Sequence, residues 1–133
     1  MANIETTNNK TRSLVLWEPV FEDELITFAG AATLKAGTIL ARDSVSLKLV
    51  PFVKGGVTNE NGVPKAVLLD ELTATGAGDL PCRPIVGGRL RKGDLVIDAD
   101  GDASNVDGAV VDQLRDYSII ALGTTQLAQL DNQ

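Results

Sequence analysis

The sequence predicts a mainly β, α+β fold in a single domain with one short helix, and three observations carry this prediction. The chain has 133 residues, which suits one domain with its own hydrophobic core. Apolar residues make up 44% of it and aromatic residues only 4%, so the core must be built from aliphatic side chains. Short apolar runs alternate with Gly, Pro and Asn, and only one stretch has the spacing of an amphipathic helix.

Residues 1–13 predict a flexible N-terminal arm. This segment is polar and offers Ile4 as its one sizeable apolar side chain after the initiator methionine, so burial cannot offset the entropy cost of ordering it alone. A plain frayed terminus is the other interpretation of the same composition. Residues 14–17 then form an apolar run that ends at Glu18 and Pro19, which is typical of an edge strand or a docking segment.

A short strand is predicted at 25–28, and after a bend at 30–32 the stretch 34–41 predicts a Gly-containing turn whose β-branched exit starts the next strand. The clearest strand signal covers 44–53, because apolar residues alternate there with polar ones at Val45, Leu47 and Leu49. We therefore expect a half-buried strand over this stretch. Pro51 lacks a backbone donor, so its end of the strand should lie at an edge or a bulge.

Further strands and loops are predicted in the second half of the domain. Clusters of Gly and Asn place a loop or hairpin tip at 55–62, and small residues place a turn at 73–79. Apolar runs predict strands at 66–69 and 85–90. The glycine pair within 85–90 indicates a β-bulge in that strand.

One stretch, 105–117, predicts a helix. Its apolar side chains fall on one face at spacings of four, four and three residues, and they are Val106, Val110, Leu114 and Tyr117. Asp107 is the predicted N-cap. A final strand at 118–122 follows. We therefore expect a β-rich domain over 14–123 and a C-terminal tail over 124–133.

Charge and composition argue against several classes of function. The chain carries 12 basic and 18 acidic residues, and a net charge of -6 disfavours nucleic-acid binding. It has no histidine, the commonest general base and metal ligand, so we expect neither an enzyme nor a cofactor. Cys82, the single cysteine, can form no internal disulfide and no thiolate metal site. Because no apolar run approaches the length of a membrane span, we expect a soluble, cytosolic protein.

An acidic loop resembles part of a calcium-binding loop. Asp98, Asp100 and Asp102 occupy alternate positions, as in the first half of an EF-hand loop. An EF-hand would need glycine at the sixth position and glutamate at the twelfth, where this chain has Ala103 and Ala109. The sequence therefore favours a solvated loop without a metal ion.

Charges are segregated along the second half of the chain. A cluster of four cations between 83 and 92 precedes a stretch from 94 to 116 that holds seven acids and one arginine. Two solvated loops that attract each other weakly explain this pattern. The sharper interpretation is electrostatic complementarity between subunits, carried by Arg83, Arg89, Arg91, Lys92, Asp98, Asp100 and Asp102.

Four short motifs follow one another between residues 34 and 122. They are Lys-Ala-Gly-Thr-Ile-Leu at 35–40, Val-Pro-Phe at 50–52, Pro-Ile-Val-Gly-Gly-Arg-Leu at 84–90 and Leu-Arg-Asp-Tyr-Ser-Ile-Ile at 114–120. Their order and spacing resemble the head decoration protein family of tailed bacteriophages, the lambda type. The acidic stretch at 98–107 and a longer N-terminal region depart from the family's pattern.

This resemblance implies a small, partly barrel-like β domain that binds the outside of the expanded phage head as a homotrimer. Such a protein stabilises the head against internal DNA pressure without catalysis. The resemblance also implies the major capsid protein as partner, a location on the outer surface of the virion and synthesis in the host cytoplasm. In that family the N-terminal arm orders on the capsid and adds a strand to the major capsid protein.

By the same resemblance, we expect a capsid-docking strand formed by Thr11, Arg12, Ser13, Leu14, Val15, Leu16 and Trp17. Trp17 would serve as its apolar anchor, and packing in the domain's own core is the alternative role for this side chain. The alternative function is a small β-barrel that binds a ligand or a peptide. The low aromatic content disfavours that function, because binding pockets are rich in aromatic side chains.

Overall fold

The computed structural model describes residues 14–123, so the predicted arm (1–13) and tail (124–133) lie outside the described part of the chain. The described residues form ten strands, one α-helix and one short 3-10 turn. The strands are β1 (Val15–Phe21), β2 (Glu24–Phe28), β3 (Ala32–Leu34), β4 (Ile39–Arg42), β5 (Leu49–Pro51), β6 (Pro64–Val67), β7 (Leu72–Ala74), β8 (Gly78–Cys82), β9 (Ile85–Arg91) and β10 (Ile119–Leu122). The helix, α1, is Gly108–Arg115, and the 3-10 turn is Lys92–Asp94.

Eight of the strands form one curled, half-barrel sheet. Their order is β1-β9-β6-β4-β5-β2-β8, with β10 paired to β9 as well. Strands β3 and β7 pair separately as a two-stranded sheet. Neighbouring strands of the large sheet are antiparallel except for the parallel pairs β2–β5 and β9–β10. The predicted mainly β fold with one helix is therefore confirmed.

Aliphatic side chains fill two core clusters. The first lies between helix α1 and the β9 side of the sheet and includes Leu14, Leu90 and Leu114. The second lies towards β2 and β5 and includes Ile26 and Leu49. All five of these side chains are fully buried. Burial of aliphatic surface is therefore the main force that holds the sheet in its curled shape.

Strand β4 lies between the two clusters. Ile39 and Ala41 belong to the first cluster, and Leu40 belongs to the second. Successive side chains of a strand point to opposite faces, so β4 is buried on both faces. This explains why its sequence is a continuous apolar run rather than an alternating one.

The predicted helix and its cap are confirmed. Asp107 is the N-cap of α1, and its side chain accepts a hydrogen bond from the backbone N–H of Val110 at 3.2 Å. Val110 and Leu114 are buried, whereas Tyr117 lies beyond the end of the helix and is partly exposed beneath the ammonium group of Lys65. No helix among residues 14–123 is long and apolar enough to span a membrane.

The strand predicted over 44–53 is wrong in its first half. Residues 44–46 form a turn, and the strand begins only at Leu49. The Asp43 carboxylate accepts hydrogen bonds from the backbone N–H groups of Val45 and Ser46. The backbone carbonyl of Asp43 accepts a further one from the backbone N–H of Leu47. These local hydrogen bonds form in place of strand pairing, because they satisfy the backbone groups within the turn itself. Val45 and Leu47, expected to be half-buried, are instead 77% and 64% exposed.

We expect Leu47→Gly to leave the free energy of unfolding unchanged or to raise it by up to about 1 kcal/mol. Leu47 has a φ of 66°, a left-handed conformation that costs a residue with a side chain roughly 1–2 kcal/mol. Glycine relieves this strain but adds about 0.5–1 kcal/mol of chain entropy to the unfolded state. Urea unfolding measures the difference. Leu47→Ala keeps the strain, so its free energy of unfolding should stay within about 0.5 kcal/mol of the wild type. A marked loss of stability in both variants would contradict the assignment of Leu47 to an exposed, strained turn.

We expect Asp107→Ala to lower the free energy of unfolding at pH 7 more than Asp107→Asn, because asparagine still caps the helix. The hydrogen bond from the Lys54 ammonium group and that from the Val110 amide hold the pKa of Asp107 below its ordinary value. Its stabilising effect is therefore present above the unfolded pKa of about 3.9 and is lost as the pH falls through the lower folded pKa. Urea unfolding between pH 7 and pH 2 should show weaker acid sensitivity in both variants than in the wild type.

Candidate functional site

Strand β1 forms one edge of the large sheet. Among residues 14–123 it pairs with β9 on one side and with no strand on the other. The chain segment 1–13 joins the domain directly before this strand. An unpaired strand edge presents backbone donors and acceptors that an added strand can use. The edge of β1 is therefore a candidate docking site for an extended segment of another protein.

The second half of β1 is poorly suited to such pairing. Two of the three shifts in the register of β1 against β9 lie after Trp17, Glu18 has a φ of 57°, and Pro19 has no backbone N–H. Bulges and prolines are the features by which natural sheets prevent uncontrolled pairing at their edges. The part of the edge that can accept another strand is therefore 15–17, next to the segment 1–13.

Gly88 allows β1 to lie close to β9. Its φ is +117°, and a Cβ atom at this position would lie 2.5 Å from the carbonyl oxygen of Glu18 and 2.9 Å from Cα of Pro19. A side chain therefore cannot be accommodated without moving β1. Strand β9 carries a bulge within 85–90, but its extra residue is Val86, next to the glycine pair; opposite Gly88 the extra residues of the register lie in β1.

Trp17 lies on β1 opposite Arg89 of β9 and is half-buried. The guanidinium carbon of Arg89 is 5.6 Å from the centroid of the indole ring, close enough for a cation to be attracted to the ring face. One nitrogen of Arg89 is 3.3 Å from a carboxylate oxygen of Glu18. Within the described residues Trp17 belongs to neither core cluster, so its ring and Arg89 form a surface platform.

The other residues of the expected docking strand differ in burial. Leu14 is fully buried in the first core cluster, and Val15 packs against that cluster. Leu16 is half-buried. Thr11, Arg12 and Ser13 lie outside the described residues. Leu14 therefore attaches the strand to the domain, whereas Leu16 and Trp17 keep exposed surface.

Both ends of the described chain lie beside the last residues of β9. Val15 at the start of β1 is opposite Leu90, and Leu122 at the end of β10 is opposite Arg91. Strands β1 and β10 flank β9 on its two sides. The segments 1–13 and 124–133 therefore join the domain at the same end of the sheet.

The predicted cationic cluster is paired locally. Its arginines Arg83, Arg89 and Arg91 have acidic partners at nitrogen–oxygen distances of 3.9, 3.3 and 3.6 Å, and these partners are Asp23, Glu18 and Asp94. Lys92 is half-buried in the 3-10 turn. None of the ion pairs found among residues 14–123 joins these cations to the acidic loop at 98–102. Exposed pairs of this kind contribute little to stability, so both sets of charges remain accessible to a partner.

The acidic loop is organised by hydrogen bonds. The Asp102 carboxylate accepts from the backbone N–H of Ser104 at 3.0 Å, and hydrogen bonds from Ser104 hold the pKa of Asp102 below its ordinary value. Asp100 accepts from the side-chain amide of Asn105 at 2.9 Å. Among the residues that the structure describes, no group of three or more His, Cys, Asp or Glu side chains is placed to hold a metal ion.

A cavity of about 500 Å³ lies beside the end of β1. It is lined by Phe21, Leu68, Leu69, Asp70, Glu71, Leu72, Cys82 and Arg83. Its volume is within the range of small-ligand pockets. Burial, and to a smaller extent the negative charge of Glu24, raises the pKa of Cys82 to about 11. The thiol is therefore protonated at neutral pH and is a poor nucleophile.

Local sequence patterns do not predict the exposed apolar surface at the opposite side of the sheet. Leu25 is 44% exposed and lies beside Leu47 and Pro81 around a shallow cavity of about 360 Å³. Val45, in the same turn as Leu47, is exposed as well. The alternating pattern at 45–49 predicts a strand with one buried face, so the sequence gives no signal that these side chains point into solvent.

Comparison with known families gives one extensive match. The sequence model of a family described as bacteriophage lambda head decoration protein D matches residues 4–119, which is more than four fifths of the chain. The matched range includes strands β1 to β9 and helix α1. No curated protein is similar enough to the chain to be matched with it.

We expect Gly88→Ala to lower the free energy of unfolding by about 2 kcal/mol or more, because it adds backbone strain and pushes β1 away from β9. Gly93→Ala is the matched control, since a Cβ atom at Gly93 meets nothing within 4 Å. Urea unfolding compares the two variants. Equal effects of the two substitutions would contradict the close approach of β1 at Gly88.

Proposed function

Because this chain belongs to the bacteriophage lambda head decoration protein D family, it is a phage head decoration protein, and we propose that it binds the outer surface of the expanded head. Bound there, it stabilises the shell against the pressure of the packaged DNA. It acts by binding alone, without catalysis and without a cofactor. Its partner is the major capsid protein, and it is made in the host cytoplasm before it joins the virion.

The observation that carries this proposal is the free edge of β1 next to the segment 1–13. We assign capsid docking to Thr11, Arg12, Ser13, Leu14, Val15, Leu16 and Trp17, within which 1–13 is the arm and 14–123 the domain. A strand of the capsid protein paired along this segment gains main-chain hydrogen bonds without needing a deep pocket. Because Leu14 is buried in the core, force on the arm is transmitted directly to the folded domain.

The platform of Trp17 and Arg89 supplies the apolar anchor of this docking site. Tryptophan and arginine are the residues that most often dominate the binding energy of an interface. The indole ring is half-buried and lies against the guanidinium group of Arg89, so it is held in place before a partner binds. A preordered anchor loses little conformational entropy on binding.

The end of the sheet where both chain termini join the domain is the end that faces the shell. The arm must reach the capsid from Val15, and Leu122 lies on the other side of the same strand β9. The tail 124–133 therefore also starts near the capsid surface. The opposite end of the sheet points away from the shell.

Stabilisation of the head results from many copies that each bridge neighbouring capsid subunits. Expansion of the shell under pressure must break all of these contacts together, so weak individual contacts become strong collectively. We propose that the bound copies form homotrimers. Electrostatic complementarity between the subunits is assigned to the four cations and the acidic loop, which are Arg83, Arg89, Arg91, Lys92, Asp98, Asp100 and Asp102.

Co-sedimentation with expanded heads that lack the protein tests this function. We expect the full-length protein to saturate the heads and the deletion of residues 1–13 to lose binding. Trp17→Ala should weaken binding by about 30-fold, which corresponds to the roughly 2 kcal/mol of an interface hot spot. Trp17→Phe should retain most of the affinity, because an aromatic ring remains over Arg89.

Val57→Ala is the control for general loss of exposed apolar surface, since Val57 is 93% exposed in a loop and should not affect binding. Urea unfolding of each variant separates loss of docking from loss of folding. If the full-length protein does not bind the heads, the proposed function is wrong. If Trp17→Ala binds normally but unfolds more easily, Trp17 is a packing residue and not an anchor.

A further inference from the structure

We propose that the cavity of about 500 Å³ beside the end of β1 is a binding site for a small organic cation, a primary amine carried on an apolar body. We call this cavity the end cavity. All of its lining residues belong to one copy of the described domain. The site is therefore a property of the free protein, and the inference goes beyond the proposed function.

The apolar wall of the end cavity is built on both core clusters. Phe21 and Leu69 pack against the first cluster. Leu72 and Cys82 pack against the second cluster, to which the buried Leu68 belongs. Except for Leu68, these side chains are half-buried, so each keeps some apolar surface for the cavity. Because the cores fix the wall in place, the cavity exists before a ligand binds, and an apolar body that fills it removes this surface from water.

The thiol of Cys82 keeps the wall neutral. Burial raises the pKa of Cys82 to about 11, and the negative charge of Glu24 contributes a smaller part of the rise. At neutral pH the thiol is therefore protonated and lies beside a bound apolar body without a charge. The contribution of Glu24 also shows that the electrostatic potential at this wall is shifted to the negative side, which favours a cation.

Carboxylates outnumber cations around the end cavity. Asp70 and Glu71, between β6 and β7, are exposed residues that line it. Arg83 lines it as well, but its guanidinium carbon is 5.9 Å from the centroid of the Phe21 ring, and its Nε is 3.9 Å from a carboxylate oxygen of Asp23. The charged residues at the cavity are therefore three acids and one arginine. This balance attracts a cation and repels a carboxylate ligand of the same shape.

Glu71 is the residue to which we assign the ammonium group of the ligand. It directly precedes Leu72 of the apolar wall, and both residues line the cavity. A cation that pairs with the Glu71 carboxylate therefore has apolar surface within reach of its body. The body also displaces water around the ion pair, and an ion pair is stronger where less water screens it.

The end cavity lies far from the points where the chain ends join the domain. Phe21 is opposite Ile85 at the start of β9, whereas Val15 is opposite Leu90 near the end of that strand. The segments 1–13 and 124–133 both join the domain at this other end. If the chain docks as proposed, the cavity points away from the shell and stays open on a decorated head. Only this accessibility on the head rests on the proposed function.

Titration of the full-length protein with matched probes tests the site. Three probes share a phenylethyl body and differ in the head group, and they are 2-phenylethylamine, 2-phenylethanol and 3-phenylpropanoate. Shifts of backbone amide signals in ¹H–¹⁵N NMR spectra at neutral pH measure binding. We expect shifts at 68–72 and 82–83, with the amine bound about three- to fivefold more tightly than the alcohol and the carboxylate bound most weakly. Ethylamine, a cation without the apolar body, should leave these signals unchanged.

Cys82 reports occupancy independently, because it is the single cysteine of the chain and lines the cavity. Its alkylation by iodoacetamide should slow down as 2-phenylethylamine fills the cavity. The same concentration of 3-phenylpropanoate should slow it less. In urea-unfolded protein the amine should not change the rate, which shows that the probe does not consume the reagent.

Glu71→Gln tests the assigned partner of the ammonium group. Its affinity for the amine should fall to about that for the alcohol, whereas its affinity for the alcohol should not change, because the apolar wall is intact. Glu60→Gln is the matched control, since it removes an exposed carboxylate that does not line the cavity. Urea unfolding shows that both variants keep their stability. An unchanged preference of Glu71→Gln for the amine would contradict the proposal.

Three further results would overturn the inference. The first is the absence of shifts at 68–72 and 82–83 with every probe. The second is binding of the carboxylate as tightly as the amine. The third is a set of shifts at 1–13 or 124–133 on addition of the probes, which would show that a segment of the same chain fills the cavity and is displaced. None of these results depends on binding to heads, which co-sedimentation measures separately.

Discussion

The architecture depends on how closely β1 can approach β9, and that distance is set by the missing side chain of Gly88. Strand β9 pairs with β1 on one side and with β6 and β10 on the other. It therefore holds both ends of the described chain in one place. If β1 moved away, Leu14 would leave the core and the start of the proposed docking strand would be lost from the sheet. The same contact thus serves the stability of the domain and the position of the proposed docking strand.

Two surfaces of the sheet differ in what they offer to a partner. At the β1 edge the backbone is available and Trp17 lies ordered over Arg89, so the surface suits an extended partner segment. At the turn 43–48 the backbone is satisfied internally, and the apolar side chains of Val45 and Leu47 are exposed. The rigid aliphatic core between them keeps both surfaces in fixed relative positions, because buried β4 joins the two core clusters. Such rigidity fits the proposed role of resisting shell expansion.

Much of the fold and part of the site could be predicted from local patterns. The helix predicted over 105–117 from spacing and cap chemistry forms at 108–115 with its Asp107 cap, and the bulge predicted in β9 lies next to Gly87. The first half of the strand predicted over 44–53 is wrong because alternation of apolar and polar residues is the only local signal for a strand there. The Asp43 carboxylate can bond two nearby amides, and this local bonding outweighs a weak strand preference.

The sequence by itself determined the fold class, the aliphatic core, the polar segment 1–13 and the family to which the chain belongs, because these depend on composition and on spacing along the chain. Only the tertiary structure decided which side chains meet. Trp17 lies against Arg89 because β1 pairs with β9, 72 positions further along the chain. Likewise, Leu47 is exposed because the Arg42 and Asp43 contacts fix its backbone outward. Contacts between distant residues depend on strand pairing, which short-range patterns do not specify.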